Sequence, residues 1–315
     1  MINEQKPKLY IIAGPTAVGK TKASLLFAKK MNAEIISADS MQVYRGMDIG
    51  TAKLREDEMD GIRHHLIDIL SPFDEFNIAI FKELAKKAIE DIHSRGKEAV
   101  LVGGTGFYIQ SVLYDTDFTT GDCDKELRDS LSLEYDEKGA VYMYNKLKDL
   151  DEKAAESIHP NNKKRIVRAI EYALSTDKKI SEHNINERAK KSPYNYKYFV
   201  LNLERKKLYN RIEQRVDIML KQGLLAEVKK LHELGCKKDM VSMKGIGYKE
   251  ILEYLEGGIS LEEAGELIKK ETRHFAKRQI TWFKREKEAI WLDIDDFANE
   301  EDLVNYMIKG GEYAK

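Results

Sequence analysis

Residues Gly14-Pro15-Thr16-Ala17-Val18-Gly19-Lys20-Thr21 follow the pattern G-x-x-x-x-G-K-[ST]. They come after an apolar run, Leu9–Ala13, and before an amphipathic stretch, Lys22–Asn32. Glycines let consecutive backbone N–H groups turn inward around phosphate oxygens, a following helix N-terminus adds partial positive charge, and Lys20 adds a full one. The Thr21 hydroxyl suits Mg²⁺ and is the one metal ligand expected. The whole loop, Gly14 to Thr21, is therefore expected to bind a diphosphate or triphosphate, which leaves the reaction open. An ATPase of this kind also wants an Asp at the end of a strand to hold the metal. Here the apolar run Ala99–Val102 leads instead into Gly103-Gly104-Thr105-Gly106. A carboxylate does end the second apolar run, as Asp39, which is either a site residue or an ordinary turn or N-cap aspartate.

Such residues need a scaffold that gathers strand ends. Short apolar runs alternate with helical patterns: Leu9–Ala13, Lys22–Asn32, Glu34–Ala38, an amphipathic stretch from Ile78 to Ile92, then Ala99–Val102. This order predicts an α/β fold, a P-loop NTPase-like parallel sheet with helices on both faces, whose sites lie at the carboxyl ends of the strands. Between about Asp115 and Ser192 the texture changes to long charged helical stretches without a strand, entered through Thr119-Thr120-Gly121 and left through Ser192-Pro193. The expected organisation is a core domain of residues 1–115 and 196–315 with a helical subdomain, 116–195, inserted. Strand character returns at Phe199–Leu203. A capping box at Ser260 and Glu263 opens a long helix to about Glu286, and Ile290–Ile294 could supply a last strand.

Composition narrows the class. Lys+Arg 53 against Asp+Glu 54 gives a formal charge of -1, so a nucleic-acid partner must be held by local basic patches. Cys123 and Cys236 are too few and too far apart for a disulfide framework or a cysteine zinc site, which suits a reducing cytoplasm. The 7 histidines show no zinc spacing, and the adjacent His64-His65 are expected to be structural. The first residues lack a signal-peptide core and no apolar run is long enough to span a membrane, so no membrane partner is expected.

The segment Asp39-Ser40-Met41-Gln42-Val43-Tyr44-Arg45-Gly46-Met47-Asp48-Ile49-Gly50-Thr51-Ala52-Lys53, the loop GPTAVGKT, LVGGTGFY at Leu101–Tyr108 and AKRQITWF at Ala276–Phe283 together closely resemble the tRNA dimethylallyltransferases, also called tRNA isopentenyltransferases. The resemblance runs from about Tyr10 to Trp291. It implies an enzyme that transfers a dimethylallyl group from dimethylallyl diphosphate to N6 of the adenosine 3′-adjacent to the anticodon in a subset of tRNAs, releasing diphosphate, with Mg²⁺ as cofactor and no ATP hydrolysis. With no zinc-finger extension after Trp291, the short bacterial form is expected. Its partners would be the tRNA anticodon stem-loop and dimethylallyl diphosphate, with no obligate protein partner and a monomeric chain.

By the same resemblance Asp39 is the base that accepts an N6 hydrogen, and Thr105 hydrogen-bonds near the reacting groups unless it only shapes a strand-to-helix turn. Arg215 stands near the diphosphate, although Arg211 and Arg215 could equally be a surface pair one helical turn apart. Asp39, Ser40, Met41, Gln42 and Thr105 are expected to touch RNA. So are Arg128 in the insertion, the cluster Lys164, Arg165 and Arg168, the segment holding Lys244, Gly247 and Lys249, and Arg273, Lys277 and Arg278 on the late helix. Tyr248 offers either a stacking surface or core packing. Without the resemblance, the loop would fit a phosphate-loop kinase as well, and the basic segments a non-catalytic RNA-binding protein.

Overall fold

The protein is seen in a computed structural model that describes residues 6–117 and 125–309; Thr119-Thr120-Gly121 and Cys123 lie outside the described residues. Its strands are β1 (Lys8–Ala13), β2 (Ala33–Ser37), β3 (His64–His65), β4 (Glu98–Gly103), β5 (Asn195–Asn202) and β6 (Ile290–Asp293). They form one sheet in the order β3-β2-β4-β1-β5-β6, with every pairing parallel. The helices are α1 (Lys20–Met31), α2 (Ile78–Ser94), α3 (Gly106–Leu113), α4 (Lys125–Leu150), α5 (Glu152–Ser157), α6 (Lys163–Thr176), α7 (Ile180–Ala189), α8 (Arg205–Gln222), α9 (Leu224–Glu233), α10 (Tyr248–Leu255), α11 (Leu261–Phe283) and α12 (Glu300–Ile308). The α/β parallel-sheet class expected from the strand–helix alternation is what folds.

All of β2 is buried and β4 nearly so, as strands must be when helices cover both faces of a parallel sheet. A charged residue inside β2 then needs partners. Glu34 has them: Arg95 binds it through both guanidinium nitrogens, Lys97 Nζ reaches it at 3.0 Å and His65 Nε2 at 2.8 Å. The Arg95 hydrogen bonds hold the Glu34 carboxyl well below the usual carboxylate range. This cluster stitches β2 to β3 and to the start of β4. The short β3 carries no periodic signal, and the sequence does not announce it as a strand.

Sheet order decides what the strand ends can do. Because β4 lies between β1 and β2, Ala13 pairs with Gly103 and Ser37 with Val102, so the chain leaves three adjacent strands at one edge. Close backbone approach there demands glycine. A Cβ on Gly103 would sit 2.4 Å from the Ala38 carbonyl oxygen, and one on Gly14 would sit 2.5 Å from that of Leu201.

The chain divides into two compact units, Met1–Val112 with Pro193–Lys315, and Leu113–Ser192. The first contains the sheet and a core that includes Ile12, Phe27, Val100, Phe199 and Leu292. Its α11 is opened by the Ser260–Glu263 capping box and ends at Phe283, three residues before the sequence pattern suggests. The second unit is helical among its described residues, and packs Leu131, Met143, Leu147, Ile166 and Ile170 together. Its α4 is broken at Gly139, where φ is 81°. Buried Asp151 caps α5 at the Ala154 amide and also accepts both the backbone N–H and the hydroxyl of Ser181.

Candidate active site

The phosphate loop wraps over the start of α1. Ala17 and Gly19 take positive φ, 63° and 109°, and Lys20 opens the helix. Lys20 Nζ lies across the loop and donates to the carbonyls of Gly14 at 2.9 Å and Pro15 at 2.8 Å. Val18 differs from its neighbours: its side chain is fully buried in the core beneath the loop. Arg215, on α8, is within 3.5 Å of the Thr16 hydroxyl, whereas Arg211 lies on an exposed flank with its guanidinium 3.4 Å from the Val18 carbonyl. The two arginines are therefore not an equivalent surface pair.

A cavity of about 270 Å³ is lined by Thr16, Ala17, Gly19, Lys20 and Thr21 of this loop, by Ser37, Asp39 and Gln42 beyond β2, by Gly103 and Gly104 beyond β4, and by Arg215 and Gln279. Burial disfavours charge on Lys20, and Arg215 adds repulsion; together they push the Lys20 amine down to about 7 against the opposing pull of Asp39. Burial also lowers Arg215, again opposed by Asp39. Two desolvated cations facing one carboxylate make a cavity short of negative charge, which an anion would relieve. A second cavity, lined by Arg211, Asp295 and Asn299, borders Val18 and Gly19 but contains neither Lys20 nor Asp39.

Asp39 follows β2 after Ala38 and is part-exposed. One carboxylate oxygen, Oδ1, accepts the Met41 amide at 2.9 Å, so the residue does shape a turn while its carboxylate also lines the cavity. Gln42 Oε1 accepts the Ser37 hydroxyl at 2.9 Å, which holds the next side chain in the same wall. Thr105 lies one residue past the wall formed by Gly103 and Gly104. Its carbonyl accepts the amides of Tyr108 and Ile109 and so opens α3, and it is not among the lining residues.

Sequence reasoning missed Gln279. Its Oε1 accepts the Thr16 amide at 2.9 Å, and its Nε2 donates to the Gly104 carbonyl at 3.0 Å, joining the phosphate loop to the turn after β4. A polar residue on the buried face that carries Ala276 and Phe283 was the available signal. His64, read as structural, also lines the cavity; its Nδ1 is 2.8 Å from the Ile62 carbonyl, and burial lowers its pKa.

The expected RNA-contact residues differ in freedom. Met41 packs against Gly245, with its sulfur 3.1 Å from where a Cβ would stand, so the segment after Asp39 meets the segment before α10. Lys244 is exposed, and Lys249 lies 3.3 Å from buried Glu250. Gly247 is buried, with its amide donating to Glu250 at 2.8 Å, which leaves its N–H no role toward RNA. Tyr248 is core packing: it is 1% exposed, its ring abuts Gly50, and its hydroxyl donates to Glu227 at 2.6 Å. The same Glu227 carboxylate accepts the amides of Asp48, Ile49 and Gly50 and so docks the loop after Asp39 onto α9.

On α11, Lys277 and Arg278 are exposed, whereas Arg273 binds Glu213 at 2.6 Å. In the helical unit Lys164, Arg165 and Arg168 lie on the exposed face of α6, opposite buried Ile166 and Ile170. Arg128 binds buried Glu171 at 2.8 Å, a structural pairing. Ser40 lies part-exposed beside Asp39.

The donors near the loop are hard oxygens, the Thr21 hydroxyl and the Asp39 carboxylate, and Mg²⁺ commonly takes one or two protein oxygens plus substrate phosphates and water. Among the described residues no group of three or more His, Cys, Asp or Glu side chains could hold a metal alone. The residues thus fit Mg²⁺ bound together with a diphosphate and not an independent metal centre.

The profile of the IPP transferase family matches residues 42–286. A protein of Lachnoclostridium phytofermentans named tRNA dimethylallyltransferase is 54% identical over 301 residues, covering 96% of each chain. One of the same name from Clostridioides difficile is 51% identical over 308 residues, covering 96% of this chain and 97% of its own. The crystal structure of a tRNA isopentenylpyrophosphate transferase from Staphylococcus epidermidis superposes with a TM-score of 0.72 at 43% identity, covering 97% of this chain and 99% of its own. A eukaryotic dimethylallyltransferase caught acting on tRNA superposes with a TM-score of 0.82 at 30% identity, covering 96% of this chain and 80% of its own. With the family profile spanning most of the chain and such relatives matching nearly all of it, the chain belongs to the IPP transferase family, that of the tRNA dimethylallyltransferases.

Proposed function

We propose that the protein transfers a dimethylallyl group from dimethylallyl diphosphate to N6 of the adenosine 3′-adjacent to the anticodon of certain tRNAs. The observation that carries the reading is the single cavity in which Lys20, Thr21 and Arg215 face Asp39. The cations bind the diphosphate; the carboxylate waits for the amine. A tRNA substrate makes the cytoplasm its place of action, and among the described residues no helix is long and apolar enough to cross a membrane.

The diphosphate settles on the loop amides with Lys20 beneath it, and its charge returns the lysine to the ammonium form. As the allylic C1–O bond breaks, its electron pair leaves with the diphosphate, whose growing charge Lys20 and Arg215 stabilise more in the transition state than in the ground state. The Thr21 hydroxyl would help hold Mg²⁺, which when bound would supply further positive charge to the leaving group. The N6 lone pair, delocalised into the ring, is a weak nucleophile. Asp39 accepts an N6 proton as the N–C1 bond forms, so that the product is a neutral secondary amine.

The adenosine must leave its stack to reach this cavity, at a cost of about a few kcal/mol recovered by stacking and edge contacts. Ser40, Met41 and Gln42 stand beside the base, with Lys244, Lys249, Lys277 and Arg278 gripping RNA on the core and Lys164, Arg165 and Arg168 gripping it on the helical unit. Incubating an anticodon stem-loop with dimethylallyl diphosphate and Mg²⁺, without ATP, tests the reaction by mass spectrometry. The adenosine gains one C5H8 unit if the reading holds; an unchanged RNA, or a demand for ATP, refutes it.

A further inference from the structure

We infer that Gln279 is a positioning residue that locks the phosphate loop to the Gly103–Gly106 turn, so that the diphosphate site and the turn carrying Thr105 are held as one body. The inference rests on the proposed reaction only for the identity of the bound anion. Gln279 lies on α11, is 5% exposed, and lines the cavity. Both ends of its amide are used: Oε1 takes the Thr16 N–H, and Nε2 gives to the Gly104 carbonyl. These partners are 263 and 175 residues away in sequence, on the segments that leave neighbouring strands β1 and β4.

With Gln279 in this position the fit at residue 104 is close. A Cβ on Gly104 would lie 2.1 Å from Gln279 Nε2, while the next group beyond this side chain, the Gly14 carbonyl oxygen, is 3.5 Å away. The same helix clamps the turn once more, because a Cβ on Gly106 would meet the Trp282 ring at 2.0 Å. Side chains from two successive turns of α11 thus fix both ends of Gly104-Thr105-Gly106. With its amide held by Gln279, Thr16 keeps its hydroxyl beside Arg215 in the anion pocket. Loss of the clamp frees the loop and the turn to move independently, which weakens diphosphate binding before it touches any RNA contact.

The test is calorimetric binding of inorganic diphosphate with Mg²⁺, alongside transfer kinetics, in Gln279→Met, which keeps side-chain bulk and removes both hydrogen bonds. Diphosphate affinity is expected to fall about tenfold and KM for dimethylallyl diphosphate to rise about as much, while anticodon stem-loop affinity measured without diphosphate stays within about twofold. A merely structural glutamine would lower the melting temperature and leave both diphosphate quantities at the parental value, which overturns the inference. If Gln279→Met does not fold, the double variant Gly104→Ala with Gln279→Ala serves, since the new methyl enters the space the amide left. It should bind diphosphate as weakly as expected for Gln279→Met, and parental affinity there overturns the inference equally. Parental chain that binds diphosphate but transfers no prenyl group refutes the reaction without touching the clamp.

Discussion

Replacing Asp39 by Asn isolates proton acceptance from local folding. Asp39 uses Oδ1 to accept the Met41 amide at 2.9 Å, and an asparagine oxygen can keep that bond, so the turn after β2 survives. The other carboxylate oxygen becomes an NH2 group that cannot take a proton from N6. Removing a general base costs about 10²- to 10⁴-fold, or about 3 to 5 kcal/mol of barrier at 1.36 kcal/mol per decade. The carboxylate is also the group that opposes the downward push on Lys20, which lies at about 7 in its presence. In Asp39→Asn the lysine falls lower, so diphosphate binding should begin to weaken at a lower pH than in the parent. Single-turnover transfer to an anticodon stem-loop measures the first effect, diphosphate titrations across pH the second, and filter binding checks that RNA affinity is nearly kept. A variant rate within about threefold of the parent would refute the assignment of Asp39 as base.

Proton linkage at Lys20 gives a second expectation: with its amine at about 7 in the free protein, diphosphate binding at pH 7 should take up about half a proton more than in Lys20→Arg, read by calorimetry in buffers of different ionisation heat, and equal uptake would contradict it. Gly106→Ala drives a methyl into the rigid Trp282 ring and should lower stability by about 1–3 kcal/mol in urea denaturation; unaltered stability would show that the turn yields freely. On the helical unit, Lys164→Ala should reduce the slope of log affinity against log salt by about 0.7–0.9 if Lys164 meets one phosphate, and an unchanged slope removes it from the interface. Arg128→Ala should behave differently, lowering the unit's melting temperature by stranding buried Glu171 at a cost of about 1–3 kcal/mol, because this half-exposed arginine is the partner of a buried carboxylate; a changed salt slope with unchanged melting would reverse that assignment.

Much of this was legible because it is local. The loop from Gly14 to Thr21 carries its chemistry in consecutive residues, and the buried runs of β1, β2 and β4 announce a parallel sheet by composition alone. Ser260 and Glu263 mark the start of α11 because capping is a contact between residues three apart. Gln279 was not legible in the same way: its partners Thr16 and Gly104 are brought to it only by the sheet order β2-β4-β1, which no periodicity encodes. Glu227 is hidden for the same reason, since it looks like one more surface carboxylate until the loop from Asp48 to Gly50 closes over it. Strand β3 spans two residues, too few for any alternation to register. Tyr248 stayed ambiguous between stacking and packing until Gly50 and Glu227 enclosed its ring and hydroxyl. Local grammar thus reveals the parts that bind phosphate, and long-range packing supplies the parts that hold them in register.

A crystal structure of the chain with an anticodon stem-loop, inorganic diphosphate and Mg²⁺ tests the pairing of cradle and base most directly. The expected result is an extruded adenosine with N6 within about 3 Å of the Asp39 carboxylate and the diphosphate on Lys20 and the loop amides. An adenosine left in its stack, or an N6 that faces another side chain while Asp39 serves only the Met41 amide, would contradict it.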